Sequence, residues 1–190
     1  MLVELQSHST VSDGQLEPSE VVAEAAKAGV STLALTDHDA IAGVGEAQEA
    51  AETHGIELVP AIEMSCVHEY AEDLHICGYW VDLEKIAPAC ERAQQERIDR
   101  AGAIVERLRG WGFEVKLEDA IKEAGDALSI GRPHIARAAG AKGDLGPFFE
   151  EYLVPGGKAF VPRSWPTAEQ AIELIREAGG VAVVAHPYWD

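Results

Sequence analysis

Five times in this chain an apolar run of strand type meets a histidine or a carboxylate. Leu2 to Ser7 runs into His8, with Asp13 close behind. Thr32 to Thr36 runs into Asp37, His38 and Asp39, and Ile56 to Ile62 runs into Glu63. His75 lies between Leu74 and Ile76, and Val181 to Ala185 is followed by His186 and Pro187. Nitrogen and oxygen ligands at the ends of neighbouring parallel strands converge on one spot, which is how an α/β barrel assembles a metal-assisted active site. Singly, each residue has a plainer reading. Asp13 could be a turn acid, Glu63 a cap or rim acid, and His75 and His186 hydrogen-bonded core histidines. Agreement among the strand ends favours ligation for all of them, and a carboxylate such as Glu63 can bridge two cations about 3.5–4 Å apart. His54 and His68 lack such placement and read as surface residues.

A second group carries positive charge. Gly131-Arg132-Pro133-His134 opens a helix, with Pro133 suited to its first turn. Arg132 and His134 then sit where free backbone N–H groups already favour an anion, and Arg suits bidentate contact with phosphate. The plainer reading is a capped helix with an exposed Arg. Arg97 and Arg100, on the long helix, could add positive charge, but a solvated helix face is the plainer reading.

The elements that must position these residues alternate at first. Strands are expected at 2–6, 31–36, 56–62 and 74–80. Glu17-Pro18-Ser19-Glu20 is expected to open a helix running to about Lys27, with Ser19 as N-cap and Gly29 closing it, and a second helix is expected over 44–54, closed by Gly55. That order predicts a parallel sheet with right-handed crossovers. Because residues two apart in a strand share a face, Glu4, Gln6 and His8 point the same way. Between Ile86 and Leu153 no strand pattern occurs. A long helix over 86–109 and shorter ones over 117–124, 133–139 and 145–153 suggest a helical lid. Helix 166–178 and strand 181–185 restore the first pattern. The expected division is 1–85 for the first part of a barrel, 86–164 for the helical insertion and 165–190 for the return to the barrel.

Composition narrows the function. The 190 residues hold 15 Lys and Arg against 33 Asp and Glu, a formal net charge of −18. Non-specific DNA binding rests on phosphate neutralisation by many cationic side chains, so a broad DNA-binding surface is not expected. A small phosphorylated substrate at a locally positive, metal-loaded site is compatible with this balance. No run approaches the roughly 18 apolar residues of a membrane span. No signal peptide is visible, and three cysteines without metal-type spacing suit a reduced, cytoplasmic protein. Oligomeric state is left open.

Taken in order, Ser7-His8-Ser9-Thr10-Val11-Ser12-Asp13-Gly14, Leu35-Thr36-Asp37-His38-Asp39, Glu63, Leu74-His75-Ile76-Cys77-Gly78-Tyr79, Gly131-Arg132-Pro133-His134 and Ala185-His186-Pro187 resemble the PHP (polymerase and histidinol phosphatase) family of metal-dependent phosphoesterases. The Gly-Arg-Pro-His segment inside a helical insertion is similar to the branch of nucleoside 3′,5′-bisphosphate phosphatases and 5′-3′ exoribonucleases. The resemblance implies an α/β fold, a distorted βα barrel, here incomplete. It implies up to three divalent cations (Mn, Zn, Fe or Mg). His8 and Glu63 fall in one site, Glu63, His75 and His186 in a second, and Asp13 and His38 in a third. Arg132, His134 and Asp39 are the implied substrate contacts, and Glu63, His38 and His186 the catalytic residues. The implied substrate is a small nucleotide-like phosphomonoester or a short RNA end. Two departures accompany it. The family opens with Asp-x-His-x-His, where this chain has Glu4 and Gln6, and an amide oxygen is a weaker ligand than imidazole for zinc-like cations. The family's late Asp-x-His pair is not reached by residue 190, so one ligand set is complete and two are partial. A catalytically impaired PHP-fold module and an amidohydrolase-type metal hydrolase are the alternative readings.

Overall fold

A computed structural model describes residues 1–69, 71–125 and 129–187, with the side chains of 71–73 left aside. Strands β1 (Leu2–Ser7), β2 (Val30–Leu35), β3 (Glu57–His68), β4 (Ala71–Tyr79) and β5 (Val181–Val184) form one sheet in that spatial order. The first three strands are parallel and are joined by α1 (Pro18–Lys27) and α2 (Val44–His54). β4 runs antiparallel to β3, and β5 antiparallel to β4, so the sheet is mixed where an all-parallel one was expected. The cause is chain length. Only Glu69 and Tyr70 separate β3 from β4, whereas a parallel crossover needs about a dozen residues or more.

β3 also runs further than its apolar pattern suggested. It continues through Glu63 to His68 because Met64, Ser65 and Cys66 are buried between β4 and α3 (Leu83–Gly110). Among the described residues the sheet is not closed, and β1 and β5 are its edges. It is nonetheless strongly curled. The Tyr79 hydroxyl on β4 donates to the Leu5 carbonyl on β1 at 3.0 Å, past two intervening strands. Ala34, Val59, Ala61, Cys77 and Ala185 are buried beside Tyr79, and their small side chains permit that curl.

The helices follow their caps with two shifts. α1 starts from Glu17, whose backbone N–H donates to the Glu20 carboxylate, and Pro18 takes the first helical position, where its missing N–H costs nothing. Ser19 therefore lies inside the helix and is not its cap. α2 ends on Gly55, whose φ of +67° is the left-handed conformation glycine adopts without strain. α3 begins three residues earlier than the pattern implied, because Asp82 accepts the N–H groups of Glu84 and Lys85. Its first half packs Ile86, Ala89, Cys90 and Ala93 against Ile62, Met64, Ile76 and Ile175 of α7 (Ala168–Glu177). Its second half packs Ala101, Ile104, Val105 and Leu108 into a separate apolar cluster. That cluster is shared with α4 (Leu117–Ala124), α5 (Arg132–Ala138) and the π turn Phe149–Leu153 that follows the short α6 (Gly146–Phe148). One helix thus ties the sheet to the helical segment. No helix among the described residues is long and apolar enough to cross a membrane.

Candidate metal centre

Glu63 is the hub of the site. It lies within β3 rather than at its end, level with His38, with which it forms an isolated parallel bridge. Its side chain is fully buried, and its two oxygens face different neighbours. Oε1 lies 3.2 Å from His75 Nδ1 and 3.0 Å from His186 Nε2. Oε2 lies 3.0 Å from His8 Nε2 and accepts the Gln6 side-chain N–H at 2.9 Å. The imidazoles lie against one another in a chain, tilted from His8 to His38 to His75 with ring centroids 4.7 Å apart at each step, and edge-on to His186 at 5.1 Å. Burial alone would raise the Glu63 pKa. The hydrogen bonds to His75 and His8 and the nearby imidazoles outweigh it and hold the carboxyl far below the usual range.

Among the described residues two groups of side chains are close enough to share a metal ion: His8, His38 and Glu63, and Glu63, His75 and His186. The donor set fits a divalent cation. Each group joins a carboxylate oxygen to two imidazole nitrogens, ligands suited to Zn, Fe or Mn. His38 Nδ1 is buried with no hydrogen-bond partner, a lone pair or N–H that nothing else in the site uses. Burial pushes the His38 pKa down to about 4, so the ring is neutral at neutral pH, the form a ligand requires. His8 moves the other way. Burial opposes its charge, but the Glu63 hydrogen bond and charge, with Asp13, raise its pKa.

The loop carrying Asp13 is fixed by Asp37, which the sequence had grouped with His38 and Asp39 at the end of the second strand. Asp37 is buried, accepts the Ser9 backbone N–H and hydroxyl at 2.8 and 2.6 Å, and accepts the Ser12 hydroxyl at 2.6 Å. Gly14 closes the same loop, since a Cβ there would lie 2.5 Å from the His8 carbonyl oxygen. Asp13 then faces both His8 Nδ1, at 3.5 Å, and His38 Nε2, at 3.8 Å. Ser9 and Ser12, in the loop after His8, were the available signal for Asp37, because short hydroxyls beside a strand end need an acceptor.

Asp39, expected at the substrate, is placed elsewhere. Its carboxylate is wholly buried, accepts the Ser65 N–H at 2.8 Å, and pairs with Arg97 at 2.7 Å and Arg163 at 3.9 Å. Burial would raise its pKa, but those two guanidinium groups and the Ser65 N–H bring it below the ordinary value. Arg97 also corrects an expectation. It is buried, not solvated, and bonds Asp39, Ser65 Oγ and the Ile130 carbonyl. Its long apolar stem let α3 look like a solvated charged face in sequence.

Over the imidazoles lies a cavity of about 260 Å³ whose wall includes Asp13, His38 and His75, with Arg97, Arg100, Arg132 and Arg163. The sequence had singled out only Arg132 among those four. His134 opens instead onto an adjoining cavity of about 490 Å³, shared with Asp13, Glu123 and Arg137. Its Nδ1 accepts the Gly131 N–H at 3.1 Å, and burial lowers its pKa, so it is a neutral ring carrying its proton on Nε2. Glu4 stays outside the centre. It is exposed, and its Oε1 accepts the Gln6 backbone N–H. His54 is exposed, as expected, and His68 is half-buried, 4.0 Å from Glu169.

A curled α/β sheet that gathers four histidines around one buried carboxylate, beneath an arginine-lined cavity, defines a class of metal-site protein. Residues 4–178 match the PHP domain, and the chain belongs to that family. It is 37% identical over 198 residues to the 5′-3′ exoribonuclease Rnm of Escherichia coli (strain K12), covering 98% of this chain and 66% of that protein. It is 35% identical over 190 residues to a 3′,5′-nucleoside bisphosphate phosphatase of Chromobacterium violaceum, covering 97% and 66%. Among solved structures it superposes on an amidohydrolase from Chromobacterium violaceum with bound sulfate and no metal. The TM-score is 0.87 at 34% identity, covering 98% of this chain and 67% of the other. The chain thus spans about two thirds of the length of these relatives.

Proposed function

We propose that this chain carries the metal-binding and phosphate-holding part of a cytoplasmic metal-dependent phosphoesterase. Its substrate would be a phosphomonoester of a small nucleotide, such as a nucleoside 3′,5′-bisphosphate, or a short RNA 5′ end. The observation that carries this reading is Glu63, buried between two imidazole sets, with His38 and His75 of those sets on the wall of a cavity also lined by four arginines. The kinship with a bisphosphate phosphatase and an exoribonuclease supports the substrate class.

His8, His38, Glu63, His75 and His186 would hold divalent cations (Mn, Zn, Fe or Mg), with Asp13 beside His8 and His38 for a third. When bound, such cations supply Lewis acidity toward a phosphoryl oxygen and toward water. The remaining work falls to the chain. Arg132 and Arg100, on the cavity wall, neutralise and orient the phosphate oxygens. His134, neutral with its proton on Nε2, offers a hydrogen bond from the adjoining cavity, where the rest of a nucleotide would lie. Asp39 does not touch substrate in this reading. It holds Arg97 and Arg163 in place at the cavity floor. His38 and His186 are assigned to ligation, because a nitrogen engaged with a cation has no proton to give a leaving oxygen.

The curled sheet is read as the larger part of a distorted barrel. Leu2, Val3 and Leu5 on one edge strand and Val181, Val183 and Val184 on the other are exposed apolar side chains of the kind barrel closure would cover.

The test is phosphate release from 3′-phosphoadenosine 5′-phosphate with manganese, paired with metal analysis, for the wild type and for Glu63→Gln. The proposal expects bound metal and turnover in the wild type and neither in the variant. A wild type that retains no metal and releases no phosphate overturns it.

A further inference from the structure

The two oxygens of Glu63 differ in what faces them. Oε1 meets two imidazole nitrogens, His75 Nδ1 at 3.2 Å and His186 Nε2 at 3.0 Å. Oε2 meets one, His8 Nε2 at 3.0 Å, and the amide nitrogen of Gln6 at 2.9 Å. We infer that Gln6 makes the two cation positions on Glu63 unequal, tight and zinc-compatible on the Oε1 side, weak and selective for a hard cation such as Mn or Mg on the Oε2 side. This rests on reading Glu63 as a bridging ligand.

Three features carry the inequality. Gln6 offers no imidazole nitrogen, so beside Oε2 only His8 lies within hydrogen-bond distance, and His38 joins at the wider spacing of a possible ligand group, within 4.8 Å. The Gln6 amide N–H donates to Oε2, and a donor cannot ligate. To serve a cation the amide must turn its carbonyl oxygen inward and give up a hydrogen bond to a charged group, among the stronger kinds in a protein. Once turned, that oxygen is a neutral hard ligand. It favours Mn or Mg over Zn, which prefers nitrogen and sulfur. Glu4 does not compensate, since its carboxylate is exposed and holds the Gln6 backbone N–H.

The Gln6 hydrogen bond would also satisfy the carboxylate when no cation lies on the weak side. It occupies Oε2, so the buried carboxylate keeps two partners on that side without a second cation. Its loss on metal loading implies an affinity gap of at least tenfold between the two positions.

Chelator-stripped protein, equilibrated with Zn or Mn and desalted, is assayed for metal per chain by mass spectrometry, with no dependence on turnover. The wild type is expected to keep one Zn and to take a second cation only as Mn at higher concentration. Gln6→His is expected to keep two Zn. Gln6→Glu, which preserves length and adds an anionic oxygen, is expected to keep two cations with Mn favoured. Circular dichroism reports whether each variant is folded. A wild type that keeps two Zn of equal affinity, or a folded variant of either kind that still keeps one cation, overturns the inference. Glu63→Gln separates the two readings. If it keeps the full metal content of the wild type, the bridging role of Glu63 fails, whereas two equal sites in the wild type overturn only the role of Gln6.

Discussion

Arg97→Met should be the most destabilising single change in the buried polar network outside the metal centre. Arg97 bonds Asp39 through Nε and Nη2, both at 2.7 Å, Ser65 Oγ at 2.7 Å and the Ile130 carbonyl at 3.3 Å. Methionine fills much of the apolar stem but supplies none of these donors. It strands the Asp39 carboxylate, whose side chain has no exposure, with only the Ser65 N–H at 2.8 Å and Arg163 at 3.9 Å. Removing one partner of a buried pair costs about 3–5 kcal/mol. The remaining Arg163 places the loss near the low end, about 3 kcal/mol. With a urea dependence of about 2 kcal/mol per molar, the midpoint should fall by about 1.5 M. Trp165, buried in the sheet core and stacked under Arg92 at 4.1 Å, provides the fluorescence signal. Circular dichroism should lose coincidence with it in the variant, because Arg97 joins β3 to the segment holding Ile130. Combining Arg97→Met with Asp39→Asn should cost clearly less than the sum of the two changes, with a coupling of about 2 kcal/mol. A midpoint shift below about 0.3 M, or simple additivity, would refute the clamp.

Metal-free protein should lose stability on acidification in two stages. The His38 pKa is lowered to about 4, so the folded state binds fewer protons than the unfolded one between there and 6.5, and stability is fully present above that window and falls through it. Glu63 and Asp39, both held below ordinary carboxylate values, extend the loss at still lower pH, which melting curves from pH 3 to 8 in chelator would display. Burial pushes the Cys77 and Cys90 thiols up to about 12, so alkylation at pH 8 should be slow in native protein and rapid in urea, as mass spectrometry would read. Arg132→Ala should lower kcat/KM for a nucleoside bisphosphate by about ten- to a hundredfold, the worth of one charge-assisted hydrogen bond, without changing metal content.

The histidine cluster around Glu63 was legible because its spacing was local. Each histidine follows or interrupts an apolar run, and a strand delivers it to a predictable face. Strand direction was not legible in the same way. His75 reads identically on a parallel or an antiparallel strand, and only the two-residue gap at Glu69 and Tyr70 decides between them. Arg97 shows the complementary failure. Nothing in α3 distinguishes it from Arg92 or Arg100, and its burial depends on a contact with Asp39, 58 residues away. Asp39 itself looked like a third member of a reactive trio. Its φ of +53° turns the chain there, and its carboxylate goes to the arginines while His38 goes to the centre. A left-handed conformation at a non-glycine residue costs about 1–3 kcal/mol and persists where surrounding contacts impose it. His186, at φ +30°, is held the same way on the opposite side of Glu63.

Among the described residues three buried carboxylates lie within this small region, and the chemistry of their partners decides what each can do. Asp37 accepts two hydroxyls and a backbone N–H, groups that neutralise no charge but fix its position, so it shapes the loop that carries Asp13. Asp39 is matched to guanidinium groups, which stay protonated and cannot ligate, so its charge is spent on fastening α3 to β3. Glu63 alone is surrounded by imidazoles. An imidazole can stand as a proton donor to the carboxylate when no metal is present and as a lone-pair donor to a cation when one is. The partners that keep Glu63 ionised in the empty centre are therefore the same groups that would bind metal alongside it. Cation entry would then exchange protons for a divalent charge without rebuilding the fold, and Gln6, among the described side chains bonded to Glu63 the one that cannot make that exchange, is where the centre should respond least.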